Sequence, residues 1–543
     1  MATRGTTEEA RGLSHALPAW ASESFGWAVA VLLALVAVAH LDATDRSWML
    51  YYDPETVLPA LVRGSVLAGQ PQEWALSAVL FIPEMGLYFA LAAIGLGVKG
   101  TFALNAFVNF LLFYGALRLL SGSVRHGTSR VRARAHRVAG ALVAFAAVVA
   151  LVLLEDSSGW DTLELVSLLA TSTFYSMTVV ASTVTTGLAV RVIRDPTRRR
   201  RWLEAALLAV SALSTLTNPL YAAWEVAPLA VVFALVGWRR VVGWWPLVRV
   251  TAILGLGVVV GLLARIPFGA LITKDGPAYA NPGLAGGTAL FYAVRLAERA
   301  SSVPGAISVT FAAAFVAACG ILFRRSVGRR DAPAAILAGM GWVAPAAVML
   351  GAVLLGAVGT RYVQPVFFAP LGLLVLAPEF FARRAGRPRT HAPRLSPRGV
   401  RALLAVAAVV CLAASSVLTA TLGRSATAVS ADVRGVDAWV TASHRTGAGR
   451  YWTIRGPKAY LAEPASLIQV DDSFNAYPWL TDRADYTRNA VSFVVSDDRY
   501  PPPALPAAAR DAPRQTVSCG QYTITDFGAD VLPIGPPQAG AKP

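Results

Sequence analysis

Residues 25–55 run FGWAVAVLLALVAVAHLDATDRSWMLYYDPE. From Phe25 to Leu41 there is no Asp, Glu, Lys or Arg. A helix of that length rises about 25 Å, which with its flanks approaches the roughly 30 Å of a hydrocarbon layer. The run then breaks into carboxylates at Asp42, Asp45, Asp53 and Glu55. An apolar helix that opens onto acids is a membrane span followed by a watery loop. It begins after a mixed-charge stretch, residues 1–24, and no small-residue cleavage site closes it. The expectation is a cytoplasmic N-terminal segment and a retained first span, not a cleaved signal.

The same grammar repeats along the chain. Of 543 residues 55% are hydrophobic and 15% charged, and the mean hydropathy is +0.53. Soluble domains carry about 25% charge. Apolar runs lie near 25–41, 78–97, 101–120, 138–154, 163–190, 203–217, 225–238, 250–266, 306–323, 333–358, 363–382 and 402–420. The fold class expected is an all-α polytopic membrane domain of about 11–12 transmembrane segments over residues 25–423. Its outer loops are expected at 42–77 and 267–305. The net charge is +16. From residue 424 onward twelve Lys/Arg balance twelve Asp/Glu, so the surplus lies in short loops between apolar runs. That is the positive-inside pattern of cytoplasmic loops, not a nucleic-acid footprint. Basic loops at 118–137, 191–201, 239–249, 324–330 and 383–401 are placed inside. This sends the chain after 420 to the outer face. Three full crossings before residue 120 would break that arrangement. Either one of the runs 78–97 and 101–120 does not cross fully, as Pro83 and Glu84 inside 78–97 favour by marking it re-entrant or interfacial, or the N-terminus starts outside.

Residues 424–543 form the second domain, expected to be a small extracytoplasmic α/β unit. Strand-like runs lie at 451–454, 466–470, 491–496 and 522–525, with helical patterns near 431–443 and 480–489. Three cysteines, Cys319, Cys411 and Cys519, suggest neither a disulfide framework nor a metal site.

Several stretches carry candidate chemistry. Asp53, flanked by Tyr51, Tyr52 and Pro54, leads the acids of the first loop, with Asp42 and Asp45 behind it. Such a carboxylate can act as a general base or help hold a divalent cation, Mg or Mn. The same acids equally suit a solvated loop. Glu84 lies inside an apolar run, where acids face a cavity or a partner. Asn218, Tyr221 and Glu225 surround a broken helix and can contact a sugar or phosphate. Arg361, in GTRYVQP (residues 359–365), is the one basic residue at an outer helix junction and can clamp a phosphate. Tyr362 accompanies it. In the long outer loop, Lys274, Arg295 and Arg299 are secondary candidates for an anionic headgroup. No Walker loop, GxGxxG, HExxH or CxxC occurs.

This layout resembles the GT-C superfamily of membrane glycosyltransferases. The matching parts are a first span, an acidic outer loop (Asp42, Asp45, Tyr52-Asp53), many further spans, the Arg361-Tyr362-x-x-Pro365 junction and a terminal extracytoplasmic domain. The Ala/Gly/Arg/Val-rich composition is similar to that of actinobacterial integral membrane proteins. The resemblance implies a plasma-membrane transferase moving a sugar from a polyprenyl-phosphate donor to a glycan, lipid or protein acceptor of the envelope. Asp53, Asp42 or Asp45 would be the base and Arg361 the phosphate clamp. The family's tight acidic pair is spread here over twelve residues, which leaves the base open among the three. Two other classes remain: a non-catalytic envelope protein whose tail binds a glycan or protein, and a lipid or polysaccharide transporter.

Overall fold

The structure is a computed structural model that describes residues 19–124, 130–159, 161–194, 200–273, 280–378, 409, 412–420, 422–424 and 427–538. In chain order its helices are α1 (Ala19–Ala43), α2 (Ser47–Tyr51), α3 (Leu58–Leu67), α4 (Ile82–Ala92), α5 (Gly97–Ser123), α6 (Arg130–Val152), α7 (Ser176–Arg194) and α8 (Arg200–Thr217). Then follow α9 (Ala227–Trp238), α10 (Trp244–Ala264), α11 (Ala285–Ala300), α12 (Val303–Gly328), α13 (Ala332–Leu354), α14 (Pro365–Leu371), α15 (Ala431–Ser443) and α16 (Tyr451–Lys458).

Seven of these, α1, α5, α6, α7, α10, α12 and α13, are long and apolar enough to cross a bilayer. The chain is a multi-pass membrane protein. Other apolar runs form shorter helices, and prolines set their lengths. A proline lacks an amide donor and crowds the preceding turn. Pro83 opens α4, whose eleven residues rise only about 16 Å. That half-thickness helix accounts for the apolar run at 78–97. Asn218-Pro219 ends α8, and the chain resumes through a π-helical turn at Ala222–Val226 into α9. Pro365 and Pro370 divide the run near 363–382 into 3₁₀ and α pieces. Residues 402–408, 410 and Cys411 of the run 402–420, and Lys274, lie outside the described residues.

The two ends of the bundle differ in chemistry. At the start of α1, Glu23 pairs with Arg118 and approaches Arg134 at 3.9 Å. Arg191 donates there to the Leu119 carbonyl at 2.7 Å. At the far end of α1, some 37 Å along the axis, lie the acidic loop and the tail.

The tail is α/β. Strands β2 (Gly447–Arg450), β3 (Leu467–Val470), β6 (Phe493–Asp497), β7 (Gln515–Cys519) and β8 (Tyr522–Asp526) make one mixed sheet in the order β3-β2-β6-β8-β7. Here β1 (Trp74–Ala75), β4 (Thr481–Asp482), β5 (Ala490–Val491) and β9 (Leu532–Pro533) complete the strand numbering. β2 runs parallel to β3 and β6, whereas β8 runs antiparallel to β6 and β7. Alternation along β6 sends Phe493 and Val495 to a core with Val433, Val436 and Val440 of α15, and Val494 to the opposite one. Two local expectations are corrected. Tyr451–Ile454 is not a strand; Gly447–Arg450 takes that place in the sheet and Tyr451 starts α16. The small residues Gly447 and Gly449 fit between Phe493 and Ile454, where a side chain would collide. The stretch 480–489 holds β4 and a 3₁₀ turn, Arg483–Thr487, which Asp482 caps from its side chain to the Ala484 amide at 3.0 Å.

The tail is pinned to the segment between α1 and α4. β1 pairs antiparallel with β4, matching Trp74 to Asp482 and Ala75 to Thr481. Asp482 also accepts from the Glu73 amide at 3.2 Å and from Ser65 at 3.3 Å. One apolar core runs without interruption from α1, α5 and α6 into Tyr451, Tyr477, Trp479 and Leu480.

Candidate active site

Four segments converge beyond the end of α1: the turn at 53–56, the loop 155–175, the junction 359–365, and α16 of the tail. Pro54 forbids helix continuation after Tyr52, and Asp53 organises the turn. Its Oδ1 accepts from the amides of Glu55 and Thr56 at 2.9 and 3.0 Å. The carboxyl is fully buried, and its Oδ2 has no hydrogen-bond partner. Burial, reinforced by the Glu55 charge, raises its pKa to about 7, against the opposing pull of the two amides and Arg361.

Glu55 closes on Arg361, with Oε2 2.6 Å from the guanidinium. That guanidinium lies over the rings of Phe174 and Tyr362, with centroids at 5.5 and 5.6 Å. Its Nε is buried without a partner. The junction is held from several sides. Asp161 accepts from the Thr360 amide at 3.0 Å, Gln364 donates to the Phe174 carbonyl at 2.9 Å, and Tyr292 donates to the Gly359 carbonyl at 2.9 Å. Gly359 has φ +145°, open to a residue without Cβ. Tyr175, in the left-handed region at φ +66°, stacks on Tyr362 at 6.4 Å and meets Trp224 edge-on at 5.6 Å. Trp224 in turn donates to the Tyr362 carbonyl at 3.0 Å. A tyrosine in that conformation costs on the order of 1–3 kcal/mol. Here it sets the aromatic wall beside Arg361.

The tail closes the remaining side. Arg455 donates through Nε to the Pro54 carbonyl at 2.7 Å and through a second nitrogen to the Leu480 carbonyl. Tyr460 donates to the Tyr51 carbonyl at 2.7 Å, and the Tyr52 hydroxyl accepts from the Ser430 amide at 3.2 Å. Tyr451 is buried beneath Arg455, with the charges of Glu55 and Asp53 acting on it through space.

The other expected residues fall in different places. Asp42 accepts from Tyr51 at 2.9 Å, and Asp45 is exposed. Glu84 is buried at the start of α4, where the Met177 amide answers it. Asn218, Tyr221 and Glu225 bind Thr178, Thr185 and Thr186 of α7 at 2.9, 2.8 and 2.7 Å. They tie a broken helix to its neighbour, below the Trp224–Tyr362 contact. Arg295 pairs with Glu298 on its own helix at 2.6 Å while its charge reaches Asp161. Arg299 is corrected to a structural residue. It is buried against Glu164 at 2.6 Å and the Leu154 carbonyl at 2.7 Å. Its partner network also holds Arg46, which donates to Ser167, Ser157, Gly159 and Glu164.

Sequence reasoning missed Tyr451, which lies in a run with the pattern of a strand, and Arg455 just after it, and did not single out Glu55 among the acids of the first loop. A divalent cation does not fit the cluster. Asp53 and Glu55 stand among the guanidinium groups of Arg361 and Arg455, Glu55 is already paired with Arg361, and a cation there would meet two fixed positive charges. Among the described residues no three His, Cys, Asp or Glu side chains gather elsewhere.

A polytopic membrane domain with an acidic first loop, an arginine junction and a docked α/β tail is a fold with counterparts among solved structures. The structure is similar to that of ArnT from Cupriavidus metallidurans bound to undecaprenyl phosphate, at TM-score 0.51 and 15% identity over 93% of this chain and 99% of that one. The apo state of ArnT gives TM-score 0.51 and 14% identity, over 94% of this chain and 99% of that one. No family model matches the sequence, and no curated protein does.

Proposed function

We propose that this protein is an integral membrane glycosyltransferase that moves a sugar from a polyprenyl-phosphate donor to an envelope acceptor on the outer face. The observation that carries the reading is the placing of a buried, half-satisfied Asp53 two residues from the Glu55–Arg361 ion pair, in one cluster of side chains. The ArnT structure with undecaprenyl phosphate supports a lipid-phosphate donor. Asp53, poised near neutrality, takes the proton of the acceptor hydroxyl. The acceptor oxygen attacks the anomeric carbon, and the bond from that carbon to the phosphate oxygen breaks. The leaving phosphate keeps the electron pair and is met by Arg361. For this Arg361 exchanges Glu55 for phosphate, a swap of one anion for another on the same fork. The tail and the acidic loop face the envelope, opposite the Arg118–Arg191 end of the bundle.

The test uses purified full-length protein in nanodiscs, incubated with a panel of polyprenyl-phosphate sugars and envelope extract. Release of polyprenyl phosphate by wild type, and its loss in Asp53→Asn and Arg361→Ala, is expected. Equal turnover in both variants would remove the assignment.

A further inference from the structure

The buried polar atoms without partners are not spread evenly. Around the Glu55–Arg361 pair stand Asp53 Oδ2, Thr56 Oγ1, Thr360 Oγ1, Arg361 Nε, Arg455 Nη2 and the Tyr451 hydroxyl. Two of these belong to the tail. Tyr451 and Arg455 are one helical turn apart on α16, so they share a face. Both are wholly buried, and the guanidinium lies 5.3 Å from the Tyr451 ring centroid. Arg455 spends Nε and one terminal nitrogen on the carbonyls of Pro54 and Leu480, and no carboxylate comes within ion-pair distance of it among the described residues. The nearby acids are otherwise engaged: Glu55 with Arg361, and Asp485 with Lys458. A buried cation without a counter-ion is costly, and so is a buried hydroxyl without an acceptor. A single anionic oxygen group would satisfy both donors.

We infer that Tyr451 and Arg455 of the tail form an anion subsite that binds a phosphate group of the lipid-linked substrate, so that the C-terminal domain completes the site. The chemistry selects phosphate over a neutral sugar hydroxyl. A guanidinium nitrogen and a phenol hydroxyl are both donors, and the bonds they form to an anionic oxygen are stronger than those to a neutral hydroxyl. The phenol stays protonated, because burial and the Glu55 charge push its pKa well above the ordinary tyrosine value. It can therefore donate at any physiological pH. The i, i+4 spacing fixes the two donors on one rigid turn, and the hydrogen bond from Arg455 to Pro54 ties that turn to the residue next to Asp53. The inference rests on the transferase reading for its substrate but not for its geometry.

The test measures equilibrium binding of undecaprenyl phosphate and of undecaprenol to the full-length protein in phosphatidylcholine nanodiscs. Tyr451→Phe removes one oxygen that has no partner, so the fold is expected to hold, and a melting curve checks this. Arg455→Lys keeps the charge but loses the fork. The expected result is preference for the phosphate over the alcohol in wild type, weakened about tenfold or more by Tyr451→Phe and by Arg455→Lys, with undecaprenol binding unmoved. Inorganic phosphate should displace the lipid with the same sensitivity to Tyr451→Phe if the phosphate group itself is the ligand. Unchanged phosphate preference in a folded Tyr451→Phe protein overturns the subsite. If Arg361→Ala still weakens binding in that case, the transferase reading stands without it. If neither variant matters, both readings fall.

Discussion

The Glu55 carboxylate meets the Arg361 guanidinium at 2.6 Å across 306 positions of sequence, with Asp53 fully buried two residues away. The pair joins the turn after α2 to the junction before α14. It also holds Arg361 in reserve, since an incoming phosphate must displace an anion already in place. Glu55→Gln should therefore tighten binding of undecaprenyl phosphate, by about three- to tenfold, as the competing charge is gone. Arg361→Met should weaken it and cost about 3–5 kcal/mol of stability, because Glu55 is left buried and unpaired. Titration of the lipid into nanodiscs, with thermal melts alongside, measures both. Equal affinity in wild type and Glu55→Gln would argue that the pair stays closed during turnover.

Asp53 gives a prediction in pH. Its folded pKa is raised to about 7, above its value in an unfolded chain. The native state thus holds a proton that the unfolded state has lost, so this group's contribution to stability is present at low pH and fades as pH rises from about 4 to 7. Activity moves the other way, rising through about pH 7 as the carboxylate forms. Asp53→Asn should abolish that rise, lower the rate by about 10²- to 10⁴-fold, and flatten the stability profile over the same window. A rate profile unchanged in the variant would exclude Asp53 as base.

Arg299 and Glu164 should act on folding and not on donor affinity. Arg299→Met leaves Glu164 with only the more distant guanidinium of Arg46, at 3.7 Å. The expected cost is about 3–5 kcal/mol, seen as a lowered melting temperature. Undecaprenyl phosphate affinity of the surviving folded fraction should match wild type. A selective loss of affinity at unchanged stability would return Arg299 to the substrate-binding set.

Docking of the tail can be tested at Gly456. A Cβ there would sit 2.7 Å from the Tyr52 carbonyl oxygen. Gly456→Ala should push α16 away from the acidic turn at a cost of about 1–3 kcal/mol. Limited proteolysis between residues 420 and 430 should speed up, and turnover should fall with it. Asp42→Asn, by contrast, alters one hydrogen bond to Tyr51 and should change neither beyond about 1 kcal/mol.

Much of this was legible without coordinates. The apolar runs gave the membrane-spanning helices, and the short strand-like runs with turn-rich connections toward the C-terminus gave the small sheet-containing tail. These are local properties: hydropathy, proline positions and charge along a short window. Arg361 also stood out locally, as a lone cation among outer helix ends. What local pattern could not rank was which acids work together. Asp53 ranked ahead of Asp42, Asp45 and Glu84, but no local pattern showed that Asp42 is bonded to Tyr51, that Asp45 is exposed, that Glu84 meets the Met177 amide, or that Glu55 beside Asp53 pairs with Arg361.

The sequence by itself determined the membrane-spanning character and the change to a strand-containing tail. The first follows from the transfer energy of contiguous apolar stretches, the second from alternation and turn residues over short windows. The tertiary structure alone decided that Glu55 pairs with Arg361, that Arg299 belongs to a buried structural network, and that Tyr451 and Arg455 reach the turn at Asp53. Those contacts join residues hundreds of positions apart. Their physical cause is the burial of charge, which makes sense only once the neighbours that surround each group are known.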